Sequence, residues 1–363
     1  MEDKRKFIFA CLVTLIILIT SCGTDSEKEI TPPKPLYIAT IMHLEKALVD
    51  EDRTWWDYTD KNYYDLHVEY LLAAANLYEE HGAKMTVEAS ISIAENIPYY
   101  NFNVLEELQS RGHGIGAHMD LGVDVQRSNN FWEIVPDLLQ GELSSEIDAQ
   151  KVALDSILSE SIIHNSGTPS PLDWVQANLD AGFQCHTSAV SYYLASLNEE
   201  YRPSGWTDQY ILDGHYHTTY PFTFNERINP WSIESSENWI VPSNGDFIYI
   251  PGESGVPLDY LDEFYNQGIT DHGALLSDAE FTQEDVDQAI KMIEEALTYS
   301  DPNKVNSYYF MVLMHTIKAD EENDFILLKD FFERINVYVE SGQIEWKTIP
   351  EICLEYQEWK DNQ

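Results

Sequence analysis

The sequence predicts an α/β fold built from parallel strands. Short apolar runs alternate along the chain with longer segments whose apolar residues recur at helical spacing. A glycine stands at the end of four of the helical segments, where a left-handed residue commonly ends a helix: Gly82, Gly112, Gly182 and Gly342. Strands that alternate with helices form parallel βαβ units, and the number of these units favours a (β/α) barrel.

Each element has its own signal. Residues 36–44 are almost all apolar, as expected of a buried strand, and residues 64–81 carry apolar side chains at helical spacing up to Gly82. The same reading predicts further strands at residues 84–91, 113–118, 162–163, 308–315 and 344–349. It predicts further helices at residues 103–111, 145–159, 173–181 and 324–341.

The first residues predict a secretion signal. Lys4, Arg5 and Lys6 are followed by an apolar stretch at residues 7–19, and small residues then precede Cys22. The apolar stretch is short for a membrane span, which needs about 20 residues. The segment resembles a bacterial lipoprotein signal, which implies cleavage before Cys22 and lipidation of that cysteine. An uncleaved N-terminal anchor is the alternative.

We therefore expect three parts: a signal peptide at residues 1–21, an acidic and proline-rich tether at 22–35, and a barrel at 36–363. Acidic residues directly after Cys22 resemble the surface-export signal of some lipoproteins. The predicted location is the cell envelope, with the lipid on Cys22 anchored in the outer membrane and the barrel on its periplasmic or its outer side.

Composition excludes some partners. The chain has 63 acidic and 21 basic residues, a net charge of −42. Such a surface repels nucleic acid and anionic membranes, so we expect no nucleic-acid partner and membrane contact only through the lipid. A hydrophobic content of 44% is enough for a packed core. Cys185 and Cys353 either pair in an oxidising compartment or remain two buried thiols.

Polar residues stand where several predicted strands end. His43 and Glu45 are two apart and share a side of the first strand, His118 and Asp120 are spaced alike, and a later strand ends in His315. The carboxyl ends of barrel strands form one rim, where active sites lie. Imidazole and carboxylate together suit a zinc-like ion, although each residue alone could be structural.

From the first strand to about residue 121 the chain resembles the polysaccharide deacetylases, the nodulation-protein-B-like carbohydrate esterases. The sequence G-H-G-I-G-A-H at residues 112–118 matches the family pattern G-H-E-I-G-x-H except at Gly114. A weaker match places Ser166 in the region of the family's Arg-x-Pro motif, and residues 313–315 resemble its late Leu-x-His motif. The resemblance implies a deformed (β/α) barrel, here with an aromatic-rich insertion at about residues 191–255.

The resemblance also implies roles. It gives His43 the position of the catalytic base, Glu45 and His118 those of metal ligands, and His315 that of the residue that assists the leaving group. The family's second metal-binding histidine falls on Gly122, so we expect Asp120 to replace that ligand. His215 or His217, from the insertion, is the other candidate for it. The implied cofactor is a divalent metal, with zinc expected.

The predicted function is removal of acyl groups from a carbohydrate of the cell envelope. Trp55 and Trp56 follow the first strand and are expected to stack on sugar rings. Two alternatives stay open. One is a carbohydrate-binding protein that has lost catalysis on the same barrel, and the other is a glycoside hydrolase that uses Glu45 and Glu88 as its two carboxylates.

Overall fold

The structure is a computed structural model of the chain. It describes residues 34–44, 47–48, 55–56, 58–119, 123–124, 133–134, 139–167, 172–187, 191–207, 210, 223–253, 256–268, 280–312 and 321–363.

The strands follow in this order: β1 (Leu36–Leu44), β2 (Ala47–Leu48), β3 (Trp55–Trp56), β4 (Thr86–Ala89), β5 (Gly114–His118), β6 (Val123–Asp124), β7 (Glu133–Ile134), β8 (His164–Ser166), β9 (Cys185–His186), β10 (Trp231–Ile233), β11 (Phe247–Tyr249), β12 (Asn306–Val312) and β13 (Ile344–Trp346). The α-helices are α1 (Lys61–Glu80), α2 (Ile91–Asn96), α3 (Val104–Ser110), α4 (Gln140–Asp155), α5 (Trp174–Asp180), α6 (Gln283–Tyr299), α7 (Glu321–Glu340) and α8 (Ile349–Asp361). Among the described residues, none of these helices is both long enough and apolar enough to cross a bilayer.

Side-chain caps fix where several helices begin. Asp60 accepts a hydrogen bond from the backbone N–H of Asn62 at the start of α1, and Asn103 does the same for Glu106 in α3. Helix α8 begins at a capping box, in which Thr348 and the carboxylate of Glu351 bond each other's backbone N–H groups.

A nine-stranded sheet forms the centre, in the order β10-β11-β9-β8-β5-β4-β1-β12, with β13 also paired to β1. The pairs are parallel except β10 with β11. The sheet is curled, and its two ends approach each other through the segment after β11. There the N–H of Glu253 bonds the carbonyl of Tyr309 at 2.9 Å, and Pro257 bridges to Met311. The architecture is therefore the deformed (β/α) barrel that the sequence predicts.

Alternation along the strands separates two cores. Ile38, Met42 and Leu44 belong to the larger one, which includes apolar residues of the surrounding helices. Ala39 and Ile41 belong to the smaller one, which lies on the inner side of the sheet together with residues of α8.

Helix α8 thus fills the interior beside the amino-terminal halves of the strands. The N–H of Ile349 donates to Thr86 Oγ1 at 2.9 Å, and Cys353 packs with Cys185 of β9 in the smaller core. The polar side chains of the same inner face therefore lie at the carboxyl-terminal ends of the strands, beyond α8.

Most predicted elements are present, with shifted ends. Strand β1 has the predicted bounds. The strand predicted at 84–91 ends at Ala89, because Ser90 leads directly into α2. The strand predicted at 162–163 lies at His164–Ser166 instead, and the last strand ends at Trp346, because Thr348 already caps α8.

Candidate functional site

One polar cluster lies on the inner face at the carboxyl ends of neighbouring strands. It contains His43 of β1, Glu88 of β4, His118 of β5, His164 and Ser166 of β8, and Thr187, which directly follows β9. Each of these side chains is buried or nearly so; 9% of the His43 side chain and 7% of the His118 side chain remain accessible to solvent. The accessible side of the cluster is therefore the His43 and His118 side.

Glu88 lies at the centre of the cluster and is fully buried. Its Oε2 lies 2.8 Å from His43 Nε2 and accepts a hydrogen bond from Ser166 Oγ at 2.5 Å. Its Oε1 accepts from Thr187 Oγ1 at 2.9 Å and lies 3.1 Å from His164 Nε2. Burial alone would raise the pKa of Glu88, but the facing His164 and His43 rings outweigh it and hold the pKa well below its usual range. Glu88 is therefore an ionised carboxylate.

Ser166 sets the proton position on His118. Its Oγ lies 2.9 Å from His118 Nδ1. A serine hydroxyl has a single proton, and the charged oxygen of Glu88 is its closest acceptor. Nδ1 of His118 must then carry a proton and donate it to Ser166. In a neutral imidazole the lone pair of His118 is then on Nε2.

Two glycines make room for the imidazole rings. A Cβ at Gly116 would lie 2.4 Å from His164 Nδ1, and a Cβ at Gly167 would lie 2.8 Å from His118 Cε1. Gly167 also has a φ of +71°, which favours glycine. Any side chain at either position would displace a histidine of the cluster.

Three side chains of the cluster have the composition of a metal site. One donor atom each from His43, Glu88 and His118 lies within 4.8 Å of the other two. Two imidazoles and one carboxylate are a ligand set found in zinc enzymes, with further positions left for water or substrate. The His43 and His118 rings stack at 3.9 Å with an interplanar angle of 26°. Stacked rings cannot both direct their in-plane lone pairs at one ion. The three residues therefore fit a metal only after one of the two rings turns about its side-chain bonds.

Gly114, where the resembled pattern has a glutamate, leaves no room for a side chain. A Cβ at this position would lie 2.8 Å from Thr348 Cβ and 3.1 Å from Pro350 Cδ, at the start of α8. The space that a glutamate would need is occupied by the helix that fills the barrel. Gly114 is therefore required by α8.

The structure brings together two of the predicted site residues, His43 and His118. Glu45, Asp120 and His315, as well as Gly122, His215, His217 and Cys22, lie outside the described residues. Trp55 and Trp56 form β3, which pairs antiparallel with β2, and their predicted contact with sugar lies outside the described part of the structure.

Four members of the cluster were missed as site residues by the sequence reasoning. The sequence assigns Glu88 a role only in the glycoside hydrolase alternative, although the strand-end rule applies to it as it does to His43. His164 and Ser166 were missed because their strand was predicted two residues early. By the resemblance, Ser166 marks only the place of a lost arginine, whereas in the structure it bonds both Glu88 and His118. No local pattern in the sequence marks Thr187.

No protein-family model and no curated protein sequence matches the chain. Among solved structures, it is similar to a "putative polysaccharide deacetylase" from Mycobacterium smegmatis, with a TM-score of 0.51 and 10% identity over 91% of this chain and 93% of that chain. The chain has the polysaccharide deacetylase fold. It also matches Puue allantoinase, with a TM-score of 0.49 and 12% identity over 89% of this chain and 93% of that one. A third match, 4-alpha-glucanotransferase from Thermococcus litoralis, has a TM-score of 0.48 and 14% identity over 90% of this chain and 41% of that one.

Proposed function

We propose that the chain is a metal-dependent hydrolase that removes acyl groups from a carbohydrate. The observation that carries this proposal is the placement of His43, Glu88 and His118 on three strands of a deacetylase-type barrel, with one donor atom from each within 4.8 Å of the others. Their position at the carboxyl ends of the strands is where barrel enzymes hold their reacting groups.

In this proposal His43, Glu88 and His118 hold a divalent ion, with zinc favoured by the ligand set. Such an ion would supply Lewis-acid activation of a water molecule and of the acyl carbonyl. With its proton on Nδ1, neutral His118 would bind the ion through Nε2, while Thr187 and His164 hold Glu88 in one orientation. His43 then acts as a ligand rather than as the predicted base, because its Nε2 lies 2.8 Å from the Glu88 carboxylate.

The proposed substrate is an acylated sugar, with an amide or an ester as the bond that is cleaved. Removal of an acetyl group from an amino sugar yields a cationic amine, which a chain of net charge −42 tolerates well. His315 keeps its predicted role of protonating the leaving group, and Trp55 and Trp56 keep theirs of stacking on the sugar.

Metal content of the purified full chain is the direct test, with the wild type beside Glu88→Gln and His118→Ala. Glu80→Gln, on the exposed end of α1, is the matched control. We expect about one equivalent of zinc in the wild type and the control, and loss of that metal in both site variants. Acetate release from an N-acetylated chitooligosaccharide and from an O-acetylated xylan should then stop with a chelator and return with zinc. A wild type that takes up no zinc, cobalt or nickel contradicts the proposal.

A carbohydrate-binding protein without catalysis is the second candidate. Two observations favour it: the stacked rings of His43 and His118, and the four groups that already surround the oxygens of Glu88. Calorimetric binding of the same oligosaccharides without metal and without acetate release would support this candidate. Sugar hydrolysis that persists after chelation would instead support a glycoside hydrolase.

We also propose that the chain is exported and lipidated on Cys22, and that the lipid anchors it in the outer membrane. The support is the basic, apolar and small-residue order of residues 4–22. Labelling with a fatty-acid probe should mark the wild type in the membrane fraction and leave Cys22→Ala unlabelled. Label on both chains, or on neither, contradicts lipidation at Cys22.

A further inference from the structure

Two cysteines meet where the last helix closes the barrel. Cys185 is in β9 and Cys353 is in α8, and both side chains are fully buried in the smaller core. The structure describes both as free thiols. They are the only cysteines among residues 34–363 of the sequence.

The two thiols are direct neighbours. Both belong to the same buried cluster, and burial, followed by the proximity of Cys353, raises the pKa of Cys185 well above its usual value. The Cys185 thiol also faces the carbonyl of Ile163, with Sγ 3.8 Å from the oxygen. Buried thiols of this kind do not react once the protein is folded. Any oxidation must take place before α8 has closed over β9.

A bond between Cys185 and Cys353 would tie helix α8 to strand β9. The polar contacts of helix α8 with the barrel include Ile349 N–H to Thr86 Oγ1 at 2.9 Å and Lys84 Nζ to Glu351 Oε1 at 2.6 Å. Thr86 is two residues before Glu88 on the same face of β4. A covalent tie on α8 would therefore fix the layer directly beneath the polar cluster.

We propose that Cys185 and Cys353 are oxidised to a disulfide during folding outside the cytoplasm. Each thiol gives up one proton and one electron, and an S–S bond forms between them. The oxidant is the disulfide of an envelope dithiol oxidase, or of oxidised glutathione in vitro, which is reduced to two thiols. The proposal depends on export and is independent of the hydrolase activity.

Peptide mapping without reduction tests it. The full chain, produced with its signal in a Gram-negative host and purified from the envelope in detergent, is alkylated in denaturant and digested. We expect a cross-linked pair of peptides that contain Cys185 and Cys353, which reductant separates. The linkage identifies these two residues regardless of the state of Cys11 and Cys22. In parallel, the purified full chain is reduced, unfolded and refolded in a glutathione redox buffer, where the same linkage should form.

Thermal unfolding supplies a second readout. Reductant should lower the melting temperature of the oxidised wild type by roughly 5–10 °C. It should not change the melting temperature of Cys185→Ala or of Cys353→Ala. The two single variants lose the same bond and serve as controls for each other. Recovery of both residues as alkylated thiols after refolding overturns the proposal, because the geometry then does not permit the bond. A linkage that forms on refolding but is absent from the envelope chain overturns the disulfide in the cell.

Discussion

Ser166 Oγ lies 2.5 Å from Glu88 Oε2, although the strands that carry the two residues are separated in the sheet by β5. The serine donates to the carboxylate and also accepts a bond from His118. One small residue thereby connects the acidic and the imidazole parts of the site.

Replacement of Ser166 by alanine tests this connection. We expect Ser166→Ala to weaken metal binding by about 10–100-fold, because Glu88 loses a donor and His118 loses the partner that fixes its proton. A zinc titration of the metal-free chain measures this change. Ser110→Ala, which removes an exposed hydroxyl bonded to a backbone carbonyl, is the matched control. Equal zinc affinity in the two variants would mean that Ser166 does not position the ligands.

Gly114 offers a steric prediction. Gly114→Ala should lower the free energy of unfolding by about 1–3 kcal/mol, because its Cβ would approach Thr348 Cβ to 2.8 Å. Gly141→Ala is the contrast, since nothing lies within 4 Å of its Cβ and it is in helix α4. That change should stabilise the chain by about 0.5–1 kcal/mol. Urea unfolding of both variants decides whether α8 restricts position 114.

His186 predicts a loss of stability in acid. Burial lowers its pKa from 6.5 to about 3, so between these values the unfolded chain binds a proton that the folded chain does not. Stability contributed by His186 is therefore complete above about 6.5 and falls as the pH drops toward 3.

Urea unfolding of the wild type and of His186→Gln at two pH values measures this loss. Between about pH 7 and pH 4.5 the wild type should lose about 2–3 kcal/mol more than the variant. Comparing each chain with itself at the higher pH removes the effect of the altered packing. Parallel pH dependences would show that another group is responsible for the acid sensitivity.

The buried ion pair next to the closure of the barrel gives a further prediction. Arg227 Nη1 donates to Glu253 Oε2 at 2.8 Å, and Tyr308 and Tyr265 donate to the same oxygen. Arg227→Ala should cost about 3–5 kcal/mol, because the fully buried Glu253 then lacks its opposite charge.

The double variant Arg227→Ala with Glu253→Gln separates charge from packing. It should cost less than the sum of the two single changes, because no charge remains unpaired. Chemical unfolding of the wild type, the two single variants and the double variant gives the coupling free energy between Arg227 and Glu253. Strict additivity would contradict an interaction between the two side chains.

The sequence predicts the barrel class and those strands that are apolar runs between helices with clear ends, but it does not predict β9, β10, β11 or helix α6. Strand β1 is an example, since each of its apolar residues is buried against one core or the other. The sequence does not predict helix α8, because Ile344 and Trp346 give a strand pattern that continues through Ile349. The Thr348 to Glu351 spacing, with Pro350 between them, is the signal of a helix start there.

The site was predictable only in part, for a physical reason. His43 and His118 are at strand ends, and the chain order alone places them on one rim. The partners of Glu88 depend on which strands are neighbours across the barrel and on how deeply each side chain reaches. Thr187 and His164 meet Glu88 only because β8 and β9 pair beside β5, and this order is a property of the whole sheet.

Gly116 and Gly167 carry no functional group, yet each leaves the space that an imidazole ring of the cluster occupies. In a complete survey of single substitutions, these two positions should therefore tolerate as little change as the histidines themselves. Substitution of either glycine would therefore disrupt the site without changing any residue that performs chemistry. The sequence therefore encodes this site partly through two positions that must have no side chain.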